Sequence, residues 1–333
     1  MLKQPGKFIV SLDFELMWGV RDVVTPQTYG EHLRGVHTAI PTILHYFTKY
    51  NVNGTFATVG FLFFCNKKDL LNSLPIQQPK YKDANLSPYG DYIEKNVGEN
   101  SKVDPYHFGA DLINLIKNTP NQEIGCHTFS HFYCLEHGQT LEDFKADIEK
   151  FMEVAKHNDI TITSIVFPRN QINEDYLVAC KSFGITNYRS CENSWIYSAR
   201  SFEDESLFRR FFRIIDAYIN ISGHHCYADE VMKEDILINI PSSRFLRPYS
   251  KKISLLEGLR LRRIKKSMTH AAKHGLLYHL WWHPHNFGIN QEQNFSFLGK
   301  ILQHYTYLHE KYSFTSHTMS EYAELLAKKE MIS

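Results

Sequence analysis

The sequence predicts a single-domain α/β protein, a distorted (β/α)7–8 barrel spanning residues 1–333 with long loop insertions. Three observations lead there. Short apolar runs alternate with longer amphipathic segments from one end of the chain to the other, and such alternation implies parallel βαβ units. About seven or eight units in one chain favour a closed or partly closed barrel over an open sheet. No internal repeat or low-complexity tract divides the sequence.

Taken in order, strands are expected at 8–12 (FIVSL), 55–59 (TFATV), 123–126 (EIGC), 164–167 (SIVF) and 186–189 (TNYR). Further strands are expected at 236–240 (ILINI), 276–281 (LLYHLW) and 312–315 (YSFT). Apolar residues at helical spacing fill 31–50, 140–157, 173–183, 255–274, 291–311 and 318–329. Two stretches break the rhythm. Residues 72–107 are rich in Pro, Asn, Lys and Tyr and lack periodicity, as expected of a lid or binding loop. Residues 191–235 form a second irregular insertion.

Lys+Arg 37 against Asp+Glu 36 leaves a formal charge of +1, so net charge supplies no reason to expect a nucleic-acid or membrane-surface partner. The N-terminal MLKQPGKFIVSLDFE lacks the apolar core of a signal peptide, and no run of about 18 apolar residues predicts a spanning helix. The six cysteines have no CxxC or regular spacing and read as reduced thiols. Together these predict a cytoplasmic protein with no transmembrane segment.

In a parallel barrel, chemistry gathers at the C-terminal ends of the strands. Asp13 and Glu15 end the first expected strand, His127 and His131 follow the third, Arg169 follows the fourth, and His283 and His285 follow the seventh. In HTFSH, two histidines four apart can face one metal ion from a single helical turn. Among 18 histidines that spacing is near chance, and His270/His274 and His279/His283 share it, so the strand-end position carries the argument. In SLDFE, two carboxylates closing an apolar strand are costly unless paired, protonated or metal-bound. One can complete a two-His, one-carboxylate set and the other can act as general base; capping of a following turn is the bland alternative.

In chain order the sequence shows SLDFE, HTFSH, FPRNQ, Asn-Ser-Trp at 193–195, and LWWH. This series resembles the motifs of the polysaccharide deacetylases, the NodB-homology group of carbohydrate esterases, over about residues 8–286. The resemblance implies a metal held by Glu15, His127 and His131, with Asp13 as base and His283 as the acid that protonates the departing amine. Arg169 would pair with Asp13. Leu280 would form pocket wall, and Trp195 would pack beside His283 or the substrate. In WWHPH, Trp282 and His285 are assigned to the substrate; of Trp281 and Trp282, one should point into the barrel and one outward.

Two departures matter. The family's usual adjacent aspartates are replaced by Asp13-Phe14-Glu15, which leaves open whether Asp13 or Glu15 binds the metal. Pro168 precedes Arg169, and Asn170-Gln171 follow it, so the oxyanion-hole donor is unassigned. Zinc is expected from the ligand types, with nickel, cobalt or iron chemically possible. The implied reaction is hydrolysis of an N-acetylated amino sugar in a precursor of surface polysaccharide or lipopolysaccharide. Arg244, Arg247 or the basic run at 260–266 would hold phosphate if that sugar is nucleotide- or lipid-linked. A deformylase or other C–N amide hydrolase, and a carbohydrate-binding relative without activity, are the alternatives.

Overall fold

The computed structural model describes residues 4–198, 206–232 and 236–330; the parts of the second insertion at 199–205 and 233–235 lie outside the described residues. The strands are β1 (Lys7–Phe14), β2 (Gly54–Thr58), β3 (Gln122–Cys126), β4 (Ser164–Val166), β5 (Asn187–Arg189), β6 (Ile238–Asn239), β7 (Arg244–Phe245), β8 (Leu277–Trp282) and β9 (Thr315–His317). They pair in the order β6-β5-β4-β3-β2-β1-β8-β7, with β9 added to β1, and every ladder is parallel. The chain from β6 to just past β7 closes the curl. Its first half donates Ile238 N–H to Thr186 O, just before β5, and Ile240 N–H to Tyr188 O of β5, and its second half donates Ser243 and Leu246 N–H to β8.

The helices are α1 (Pro26–Arg34), α2 (Val36–Tyr50), α3 (Lys67–Asn72), α4 (Asp91–Asn96), α5 (Ala110–Lys117), α6 (Leu141–His157), α7 (Glu174–Ser182), α8 (Leu207–Asp216), α9 (Glu257–His274), α10 (Gln291–Tyr312) and α11 (Met319–Glu330). The expected helix at 31–50 is two helices that meet at Gly35, where a side chain would strike the backbone of Gly288. That close approach seats the turn carrying His285. Tyr312 completes α10 instead of opening a strand, because Ser313 turns left-handed (φ 55°) and β9 starts only at Thr315. The insertion at 72–107 contains α4 and is tied down: Lys82 N–H donates to His137 O (2.8 Å), and Tyr81 Oη accepts from Tyr133 N–H (2.9 Å).

Side chains alternate across each strand, and in β1 the two faces differ in chemistry. Phe8, Val10, Leu12 and Phe14 join the apolar layer under the helices. Ile9, Ser11 and Asp13 point into the barrel and define its levels. Ile9, Ala57, Val166, Ile240 and Leu277 pack with Met319, Tyr322, Ala323 and Leu326 of α11, which plugs the lower end. Above them lies a polar level and, at the strand ends, the carboxylates. All six cysteines are free thiols. Among the described residues no helix is long and apolar enough to cross a membrane.

Candidate active site

Asp13 is buried, and both its oxygens are taken by one guanidinium: Arg189 Nη1 lies 2.7 Å from Oδ1 and Nη2 2.8 Å from Oδ2. Arg189 closes β5, has no solvent exposure, and lies 4.1 Å over the Trp281 ring. It also donates to Ser11 Oγ (2.9 Å) and Asn170 Oδ1 (3.0 Å). Ser11 in turn meets His279 Nε2 at 2.8 Å, and burial lowers the His279 pKa to about 3. Burial pushes against charge on Asp13, but the forked ion pair outweighs it and holds the carboxyl below its ordinary value.

This corrects the assignment of Arg169. Arg169 bonds to Asp22, lies 3.9 Å from Glu136, and stacks 4.3 Å over Tyr133. Both Arg169 (φ 54°) and Asn170 (φ 52°) are left-handed, a double turn that swings Arg169 away and aims Asn170 at Arg189. A weaker signal for Arg189 was present in the sequence: like Asp13, it is a charged residue closing an expected strand, although that strand, TNYR, is itself polar.

Glu15 is the meeting point of four imidazoles. Its Oε2 lies 3.2 Å from His131 Nε2 and 3.4 Å from His127 Nε2. Its Oε1 lies 3.2 Å from His285 Nε2 and 3.7 Å from His283 Nε2. Burial opposes its charge, yet the surrounding imidazoles hold its carboxyl well below the ordinary value. Gly19 makes room for it, since a Cβ there would overlap the Glu15 carboxyl.

The donor set fits a cation. His127 Nδ1 lies 2.7 Å from the Val166 carbonyl, which can only accept, so Nδ1 carries a proton and Nε2 is the nitrogen that faces Glu15. That Nε2 is buried and has no hydrogen-bond partner among the described residues. Nε2 and the carboxylate, 3.4 Å apart, need a positive charge between them, a proton or a metal cation. Burial lowers the His131 pKa to about 4. Ligand atoms of Glu15, His127 and His131 lie within 4.8 Å of one another, all three residues buried, and two imidazoles with a carboxylate are a donor set suited to zinc and similar divalent ions.

The two histidines do not share a helical turn, contrary to the expectation from their spacing. Residues 127–131 form a loop in which Thr128 and His131 are left-handed, both with φ 61°. Asp147 of α6 holds the loop by accepting from Phe129 N–H (2.6 Å), Ser130 N–H (3.1 Å) and the Ser130 hydroxyl. Burial raises the Asp147 carboxyl to about 6 against these donors. Nothing near Asp147 in the sequence ties it to HTFSH.

His283 sits at the mouth, its side chain 23% exposed, with Nε2 3.7 Å from both Asp13 Oδ2 and Glu15 Oε1. Burial lowers its pKa, while Glu15 and Asp13 pull it upward. Trp281 and Phe245 pack against its ring at 5.6 and 5.7 Å. Trp195 does not; it is 60% exposed and lies against Phe212 of α8 at 6.1 Å. Leu280 and Trp282 also leave the site. His279, Trp281 and His283 face inward on alternate positions, so Leu280 and Trp282 face the helices, where Trp282 packs on Phe47 and Phe287.

His285 is not a free pocket wall. A carboxylate only accepts, so His285 Nε2–H donates to Glu15 Oε1, which leaves Nδ1 to accept from the Tyr29 hydroxyl at 2.8 Å. Tyr29, outside every motif quoted above, thereby sets the tautomer that steadies Glu15. His285→Ala is expected to weaken binding of a divalent metal about 10–100-fold, and Tyr29→Phe to weaken it less. Competition against a chromophoric chelator measures both; unchanged affinity in His285→Ala would mean that Glu15 is oriented by other groups.

No family model matches the sequence, and no curated protein matches it. Solved structures do. A Mycobacterium smegmatis protein provisionally described as a polysaccharide deacetylase is similar with a TM-score of 0.62 and 12% identity, over 99% of this chain and 93% of its own. A Pseudomonas aeruginosa PAO1 protein described in the same way has a TM-score of 0.54 at 7% identity, over 97% of this chain and 91% of its own. Puue allantoinase has a TM-score of 0.55 at 7% identity, over 96% of this chain and 89% of its own. At such identities the likeness speaks to architecture, and on that ground the chain has the polysaccharide deacetylase fold, of the NodB type.

Proposed function

We propose that the protein is a metal-dependent hydrolase that removes the N-acetyl group from an amino sugar, acting inside the cell on a precursor of surface polysaccharide or lipopolysaccharide. The observation that carries this reading is the convergence of His127 and His131 Nε2 on Glu15 Oε2, beside an Asp13 that Arg189 keeps ionised and a His283 at the mouth. Glu15, His127 and His131 are the proposed ligands, with zinc preferred for their chemistry and nickel, cobalt or iron compatible. When bound, such a metal polarises the amide carbonyl and lowers the pKa of a coordinated water.

The chain's own groups do the rest. Asp13 accepts the proton of the attacking water. His283, partly exposed where a leaving group departs, delivers a proton to the sugar nitrogen so that the C–N bond breaks to acetate and free amine. A recess of about 500 Å³, lined by Asn170, Ser190, Glu192, Asn193 and Trp195 among others, adjoins the centre through Asn170. Its polar lining and exposed indole suit the hydroxyls and C–H face of a sugar. Glu192 Oε1 is buried there without a hydrogen-bond partner among the described residues, and burial raises its carboxyl pKa, so a sugar hydroxyl would satisfy it.

Acetate release from N-acetylglucosamine oligosaccharides tests the proposal. Release that stops on chelation and returns with zinc is the expected result. The likeness to an allantoinase supports a second reading, hydrolysis of another C–N bond; turnover of cyclic amides or formamides with none of N-acetyl sugars would favour it. Oligosaccharide binding with no metal and no turnover would sink both readings.

A further inference from the structure

Helix α8, LFRRFFRIID, is packed inside out. At helical spacing Phe208, Phe211 and Ile214 share a face with Phe212 and Ile215 at its edge, and the first three are 62, 57 and 46% exposed. The opposite, polar face is the buried one. Arg209, 5% exposed, donates to the carbonyls of Trp195 (2.8 Å) and Ser198 (2.7 Å). Asp216, with no exposure, bonds Arg244 at 2.6 Å and the Tyr197 hydroxyl at 2.8 Å. A helix on a water-facing surface turns its apolar stripe inward; this one is anchored by ion pairs so that the stripe faces out.

The apolar surface continues beyond the helix. Ile219 and Ile221 follow it, exposed, and the segment leading into α9 exposes Ile253, Leu255, Leu256 and Leu259, with Leu255 at 97%. The two segments adjoin: Arg247 feels both Arg213 of α8 and Arg260 of α9, and Tyr218 feels Arg260 and Glu257. Among the described residues of these two segments the exposed charges are basic, namely Arg210, Lys251, Lys252, Arg262 and Lys266, while Glu203, Asp204 and Glu205, which precede α8 in the sequence, lie outside the described residues. Glu257 is bonded to Arg260. Arg262, Lys265 and Lys266 also line a recess of about 440 Å³ on α9.

We propose that this surface docks the protein on an anionic lipid bilayer, with Phe208, Phe211, Ile214 and Leu255 entering the headgroup–acyl boundary and the surrounding cations meeting lipid phosphates. Aromatic and aliphatic residues flanked by Arg and Lys match the two layers of such an interface. A second copy of the chain fits less well, because two-fold packing of this face would set one basic rim against another. The overall charge of +1 conceals the feature, since the cations are concentrated locally. Docking also has a geometric consequence. Trp195, which lines the recess beside the catalytic centre, touches Phe212 of α8, so the recess opens next to the bilayer, where a lipid-linked sugar would be presented.

The test is co-sedimentation of the full chain with mixed phosphatidylcholine–phosphatidylglycerol vesicles and with pure phosphatidylcholine vesicles. Binding is expected to the mixed vesicles, weakened by salt and much lower with pure phosphatidylcholine. Phe211→Glu and Leu255→Glu, both at exposed positions, should each lower the partition coefficient about tenfold or more with thermal unfolding unchanged. His283→Ala should bind as the unaltered protein does, which separates docking from the proposed chemistry. No binding to mixed vesicles, or equal binding by the Phe211 and Leu255 variants, overturns the proposal. So does light scattering that shows a dimer dissolved by Phe211→Glu without vesicle binding, because the face would then join two copies.

Discussion

Asp13→Asn is expected to lower amide hydrolysis about 100- to 10,000-fold, the range for loss of a positioned general base, while metal content stays unchanged. Asparagine keeps the shape of the side chain and removes its ability to take a proton. Metal content is spared because the histidine nitrogens converge on Glu15, whereas Asp13 is occupied by Arg189. Stability should fall as well. Arg189 is wholly buried, and without its anion it becomes an uncompensated charge, at a cost of about 3–5 kcal/mol. The Ser11 and Asn170 oxygens that remain on the guanidinium moderate that cost. The double variant Asp13→Asn/Arg189→Met should regain stability and no activity. Steady-state rates taken well below both melting temperatures, alongside thermal unfolding, separate the two effects. A single variant that turns over at the normal rate would remove Asp13 from the chemistry.

His283→Ala is expected to cost about 100- to 10,000-fold on an N-acetyl sugar, the range for a general acid, with little change in melting temperature. The side chain is 23% exposed and its polar contacts are long, at 3.7 Å, so its removal leaves no buried charge without a partner. The decisive comparison is with an activated aryl acetate, whose leaving group needs no proton. The loss on that ester should be far smaller than on the amide. Equal losses on both would mean that His283 positions the substrate or Asp13 and donates no proton.

The gathering of the candidate site was largely legible in the sequence because its residues share a local mark. Asp13, Glu15, His127, His131 and His283 each stand at or just past the end of an apolar strand, where a polar side chain is costly unless it has work. Arg189 also closes an expected strand, but that strand is the polar TNYR, and the arginine of FPRNQ drew the assignment instead. Spacing was the weaker guide: His127 and His131 do converge, through a loop held by Asp147 and not through a helical turn.

The sequence by itself therefore determined the barrel, from the alternation of strands and helices, and the level of the barrel at which the candidate site residues gather. Only the tertiary structure decided which side chains meet there. Arg189 reaches Asp13 across 176 residues, and Tyr29 reaches His285 across 256, separations that no local pattern records. In LYHLWW both faces of the strand are buried, so hydrophobicity carries no phase, and the exchange of Trp281 for Trp282 and of His279 for Leu280 waited on the register of β8 against β1. The inverted packing of α8 was hidden for the converse reason. Its amphipathic pattern shows that the helix has two faces, and only the buried Arg209 and Asp216 contacts decide which of them meets water.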